Sequence, residues 1–85
     1  MPYSIEYRDG VSDEVSKLNA DIQDRIKKAI EERLAISPKD FGKWLSFMWR
    51  GFRSLRVGDY RIIYKVQGDK VIIYKIGHRD DVYEK

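Results

Sequence analysis

One ten-residue stretch constrains this chain more than any other: Leu55-Arg56-Val57-Gly58-Asp59-Tyr60-Arg61-Ile62-Ile63-Tyr64. β-Branched and aromatic residues flank Gly58-Asp59, the pattern of two antiparallel strands joined by a two-residue turn. A loop that short fixes the register. Val57 then faces Tyr60, and Arg56 faces Arg61. Directly opposed residues project from the same face of a sheet. Two facing arginines repel, which costs stability, so the arrangement predicts a polyanion held between them, with phosphate the natural choice. Solvated arginines at a hairpin end are the plainer alternative.

The pattern continues on both sides. Gln67-Gly68-Asp69-Lys70 marks a second short turn, so residues from about Gly51 to Gly77 read as three antiparallel strands. Alternation along these strands sorts two faces. Leu55, Val57, Tyr60, Ile62, Tyr64 and Val66 share one, with Val71 and Ile73 beside them, and this apolar face should meet helices. The other carries Phe52, Ser54, Arg56, Arg61, Ile63, Lys65, Ile72, Tyr74 and Ile76. Basic and apolar groups mix there with no obvious cover, so a partner segment is expected to cross it. Arg53 falls on the helix-facing side and is expected to reach past the sheet edge.

Upstream, Ser4 to Tyr7 alternates as a short strand, and Arg8-Asp9-Gly10 breaks it. Ser12 is a candidate cap for a first helix with Asp13 and Glu14 in its opening turn and Val11, Val15 and Leu18 as its stripe. Asn19 interrupts or caps. A second helix is predicted from about Asp21 to Ala35, with Ile22, Ile26, Ala29, Ile30 and Leu34 at helical spacing and Asp24, Lys27, Lys28, Glu31 and Glu32 opposite. Ser37-Pro38-Lys39-Asp40 stops it. The run from Phe41 to Phe52 holds Trp44, Phe47 and Trp49. A loop that folds these aromatics over the core is the expectation, and stacking of Trp44 or Trp49 on a base or a partner is the alternative.

Eighty-five residues make one small domain, 1–85. There is no cysteine, so no disulfide or thiolate site is available. With a single histidine, a metal centre is not expected, and no Gly-rich phosphate loop calls for a nucleotide cofactor. No apolar run reaches membrane length and no basic-then-apolar leader opens the chain, which predicts a cytoplasmic protein without membrane contact. Charge is divided unevenly. Residues 1–42 carry 7 Lys/Arg against 9 Asp/Glu, whereas residues 43–79 carry 9 Lys/Arg against Asp59 and Asp69 alone. The positive charge sits on the predicted sheet, a footprint for nucleic acid or an acidic protein.

The stretch Ser54 to Tyr64, followed by Ile76-Gly77-His78-Arg79 and Val82-Tyr83, resembles the RelE/ParE superfamily of toxin–antitoxin systems, and the RelE branch in particular. The resemblance covers nearly the whole chain and implies an α+β fold: a short N-terminal strand, a two-helix hairpin, then a three-stranded antiparallel meander in one sheet with the helices on one face. RelE-like toxins are ribosome-dependent mRNA endonucleases that cut the codon in the A site and are held inactive by a cognate antitoxin. The implied partners are therefore an antitoxin and the mRNA-bearing ribosome, met through the basic surface. Operator DNA would be reached only through the antitoxin.

The resemblance implies roles residue by residue. Arg61 matches the hairpin arginine that stabilises charge on the scissile phosphate, and Arg56 the basic residue ending the preceding strand. Arg79 matches the arginine after the last strand, and Tyr83 the C-terminal tyrosine that orients the substrate. Ser54 stands where the family often has a further basic residue, which leaves the general base open, with His78 a secondary candidate. Arg53, Ser54, His78 and Lys65 are the expected substrate contacts; Ile63, Ile72, Tyr74 and Ile76 are the expected antitoxin anchors. Because the substrate's own 2′-hydroxyl attacks the phosphate, such a site needs cations and proton-moving groups but neither protein nucleophile nor metal. ParE relatives share the fold and inhibit DNA gyrase without cutting, so that reading stays open. So does a toxin that has lost its activity and serves only in transcriptional autoregulation with its antitoxin.

Overall fold

The two Gly-Asp turns organise the sheet. In the computed structural model, which describes residues 2–82, strands β3 (Arg53–Val57), β4 (Tyr60–Gln67) and β5 (Lys70–His78) form the antiparallel meander expected. Val57 pairs with Tyr60 and Arg56 with Arg61 across Gly58-Asp59. Gly58 has φ 60, the left-handed value that a two-residue hairpin loop needs at its first position. Two further strands extend the sheet. β1 (Ser4–Tyr7) runs parallel to β5 on one edge, and β2 (Lys43–Trp44) runs antiparallel to β3 on the other, giving the order β1-β5-β4-β3-β2.

Helix α1 (Val11–Ser16) begins after Gly10 rather than at a Ser12 cap. Gly10 is the N-cap residue, left-handed at φ 91, and caps without a side chain. Helix α2 (Ala20–Ala29) is capped by Asn19, whose side-chain oxygen accepts the Ile22 N–H at 3.0 Å. It continues as a π-helical turn, Ile30–Leu34, closed by the Ala35 N–H on the Ile30 carbonyl. The Ala35 carbonyl then accepts the Tyr3 N–H, tying the helix end to the approach to β1.

The helices pack on the apolar face as its alternation predicts. Val11, Ile26, Ala29, Ile30 and Leu34 form one cluster with Leu55, Ile62, Tyr64, Val71 and Ile73. Burying each large aliphatic side chain contributes about 2 kcal/mol. Tyr64 is fully buried, yet its hydroxyl reaches the Pro38 and Phe41 carbonyls at 2.7 and 2.6 Å. Its single proton is donated to one of them at a time. Burial pushes this hydroxyl up to about 12, with the charge of Arg53 pulling the other way.

Simple alternation fails once. The β4–β5 register shifts between Ile63 and Tyr64: Tyr64 pairs with Ile73 and Ile63 with Lys75, so Tyr74 is an inserted residue. A bulge turns every later side chain to the opposite face. Ile76 therefore pairs with Ile62 and joins the helix-side core, where it is 3% exposed, rather than standing on the open face. Ile63 keeps its expected face but is 0% exposed and offers no surface to a partner. The face is not bare either. After β5 the chain turns, the Val82 N–H bonds to the His78 carbonyl, and Val82 is buried beside Gly77.

The segment between α2 and β3 departs furthest from its reading. It does not fold most of its aromatics over the core: Phe41, Trp44 and Phe47 are exposed, Phe47 to 90%, as is the neighbouring Met48. Trp49 and Phe52 are half-buried and form an edge-to-face chain with Tyr74 at 5.3 and 4.6 Å between centroids.

Candidate active site

The site begins at the hairpin end. Arg56 and Arg61 stand opposite each other on the sheet face away from the helices. Both guanidinium groups lean on the turn. Arg56 Nε donates to the Gly58 carbonyl at 3.2 Å, and Arg61 Nη1 donates to the Tyr60 carbonyl at 3.2 Å and more distantly to Gly58 at 3.5 Å. Among the described residues no carboxylate lies within ion-pair distance of either. Shared carbonyl contacts hold the two like charges together without neutralising them, which leaves their remaining donors for an anion.

These arginines border a cavity of about 530 Å³ whose walls come from three adjacent strands and the segment before them. Lys43, Ser54, Arg56 and Arg61 line it, together with Asp40, Phe41 and Trp44. Ser54 is nearly buried at 8% exposure. Lys43 is the residue that sequence reading missed. It lay in the stretch read as a loop, and only the pairing of β2 with β3 sets it across from Ser54. A third arginine was also missed: Arg25, on α2, brings its guanidinium close to Gly58 on the helix side.

The other expected site residues are scattered. Arg53 lies on the helix side as alternation predicts, stacked 3.9 Å from the Trp44 ring and 3.4 Å from the Lys39 carbonyl. Lys65 shares the face of Arg61 but lies over Phe52, toward the far end of β4. His78 lies apart from the two arginines of the hairpin. The bulge that turns Ile76 inward also sets His78 opposite Tyr60, 5.6 Å away edge-on, on the side away from Arg56 and Arg61. Its Nδ1 accepts the Asp80 N–H at 3.2 Å. Arg79 stays close to the hairpin because its N–H bonds to the Asp59 carbonyl at 2.8 Å, and its exposed side chain lies 3.9 Å from Asp80. Tyr83 lies outside the described residues. Of the expected antitoxin anchors, Ile72 and Tyr74 remain partly exposed on the arginine face. Among the described residues no three His, Cys, Asp or Glu side chains gather to hold a metal ion. No helix among them is long and apolar enough to cross a membrane.

A five-stranded sheet backed by two helices is the RelE-like toxin fold. The chain belongs to the family described as the ParE toxin of type II toxin–antitoxin systems, parDE, which matches residues 5–83. It is 28% identical over 87 residues to Toxin RelG of Mycobacterium tuberculosis, across the full length of both chains. It superposes with a TM-score of 0.85 on a chain of the toxin–antitoxin complex RelBE2 from that organism, at 26% identity and covering 95% of each chain. The isolated RelE toxin of E. coli has the same fold, with a TM-score of 0.73 at 19% identity, covering 89% of this chain and 83% of that one.

Proposed function

We propose that this toxin is a ribosome-dependent mRNA endonuclease that cuts the codon in the A site. The observation that carries the reading is the opposed pair Arg56 and Arg61, held by Gly58 without a carboxylate partner among the described residues and facing a cavity. In this reading the 2′-hydroxyl of the substrate attacks the adjacent phosphorus. Arg61 and Arg56 stabilise the charge that builds on the non-bridging oxygens, and Arg79 adds a third cation from the tail. Arginine stays protonated and serves here as charge, not as base. Tyr83 is assigned to orienting the substrate base and ribose. The RelBE relatives are toxin–antitoxin complexes; here a cognate antitoxin inhibits by crossing the arginine face against Ile72 and Tyr74, ordering as it binds.

The test is to induce the chain without antitoxin beside an Arg61→Ala version and map the 5′ ends of translated messages. In-frame cuts that vanish in the variant support the enzyme. Arrested growth with intact messages defeats it. The match to a family named for ParE favours one second reading, a gyrase inhibitor that cuts nothing. That reading predicts a DNA-damage response in the same cultures.

A further inference from the structure

We infer that Lys43 supplies the cation that Ser54 does not, and contacts the scissile phosphate together with Arg56 and Arg61. The inference rests on the phosphate-site reading above and extends it by one residue. Three observations meet at this position. The first is register: Lys43 pairs with Ser54 and Trp44 with Arg53, so Lys43 projects from the face of Ser54, Arg56 and Arg61, while Arg53 stacks on Trp44 on the other side. Facing side chains on neighbouring strands start about 5 Å apart at Cβ. The four-carbon stem of lysine therefore reaches over a serine as easily as a lysine at position 54 would have stood there itself.

The second observation is the cavity, lined by Lys43, Ser54, Arg56 and Arg61 together. Lys43 is exposed and, among the described residues, has no carboxylate within ion-pair distance. Asp40 also lines the cavity without closing an ion pair with Lys43. The third observation is how firmly Lys43 is delivered. The Tyr64 hydroxyl holds the Pro38 and Phe41 carbonyls, Gly42 turns with φ 80 directly against that hydroxyl, and Leu45 N–H bonds to the Phe52 carbonyl at 3.0 Å beyond the strand. A two-residue edge strand is thus pinned at both ends. Lysine adds what arginine cannot: a compact ammonium that can give up a proton as well as charge.

The experiment compares wild type, Lys43→Ala and the double variant Lys43→Ala/Ser54→Lys, each checked for folding by thermal melting. The readout is single-turnover cleavage of a message on programmed ribosomes. Lys43→Ala is expected to cleave at least about 10-fold more slowly, short of the roughly 100-fold or greater loss on removing a donor aimed directly at the developing charge. Returning a cation at position 54 should recover most of that loss. Lys43→Ala cleaving at the wild-type rate overturns the inference while leaving the enzyme reading intact. A folded double variant as slow as the single one also overturns it, since the missing cation would then not be the defect. If wild type itself cuts nothing, the enzyme reading has failed, and the same proteins are titrated with a 2′-O-methyl oligoribonucleotide at several salt concentrations. Lys43→Ala should then lower the salt slope of binding by about 0.7, the share of one phosphate contact on a single strand. An unchanged slope, or wild type that does not bind, overturns the inference.

Discussion

The hairpin from Leu55 to Tyr64 and the segment from Pro38 to Phe52 contribute to the same cavity, yet they are specified in opposite ways. The hairpin is local. A two-residue turn with Gly58 at a left-handed φ sets the register, and the register sets Arg56 against Arg61. The segment is held from a distance. Its first half is held by a buried hydroxyl, that of Tyr64, placed 26 residues after Pro38 in sequence, and its second by pairing with β3. Two of its aromatics, Trp44 and Phe47, face solvent. A site assembled from both has one half fixed by turn chemistry and one half fixed by contacts distant in sequence.

The largest expected effect falls on the hairpin. Arg61→Ala should lower cleavage by about 100-fold or more, comparable to removing a donor aimed at developing charge. Stability should stay within about 0.5 kcal/mol of wild type or rise slightly, because a facing like charge is relieved. Parallel cleavage and thermal-melting measurements check both halves. A large loss of stability would mean that the pair is structural.

The next effect falls on the segment. Gly42 has φ 80, and a Cβ there would run into the Tyr64 hydroxyl. Gly42→Ala should therefore destabilise by about 2 kcal/mol through backbone strain and displacement of a buried group. Denaturant unfolding reads this directly. The contrast with Gly68→Ala, where a Cβ meets open space despite φ 60, separates crowding from strain.

Tyr64→Phe sharpens the comparison further. It leaves the Pro38 and Phe41 carbonyls without their donor and should cost about 1–3 kcal/mol. Amides of the 38–45 segment should exchange faster while those of the hairpin do not. The same residue predicts a pH dependence. Its ionisation is raised from the usual 10.0 to about 12, so the fold favours the neutral phenol. That stabilisation is complete below pH 10 and is lost as pH rises through about 12. The alkaline fall in stability should be smaller in Tyr64→Phe.

The smallest effect tests the exposed tip. Phe47 has φ 57 and is 90% exposed. Phe47→Gly should raise stability by up to about 1 kcal/mol by relieving left-handed strain without losing burial. A loss instead would show that Phe47 packs on something in solution.

What could be read from the sequence follows the same division. The meander, its faces as far as Tyr74, the stripe of α2 and the opposed arginines all follow from short-range periodicity and turn residues. Ile76 was misplaced because the inserted Tyr74 leaves no mark in the alternation, and one inserted residue turns everything after it. Lys43 was invisible because a two-residue edge strand has no period to detect. Only the pairing with β3 and the reach of Tyr64 place it.

If the cations at the hairpin end act on RNA phosphate, the new message ends carry the mark of 2′-hydroxyl attack. Purified toxin with ribosomes carrying a defined message tests this most directly, reading the chemistry of the new ends. Cuts are expected within the A-site codon, with a 2′,3′-cyclic phosphate upstream and a 5′-hydroxyl downstream, and none with Arg61→Ala. An intact message, with gyrase supercoiling blocked by the same preparation, would contradict this.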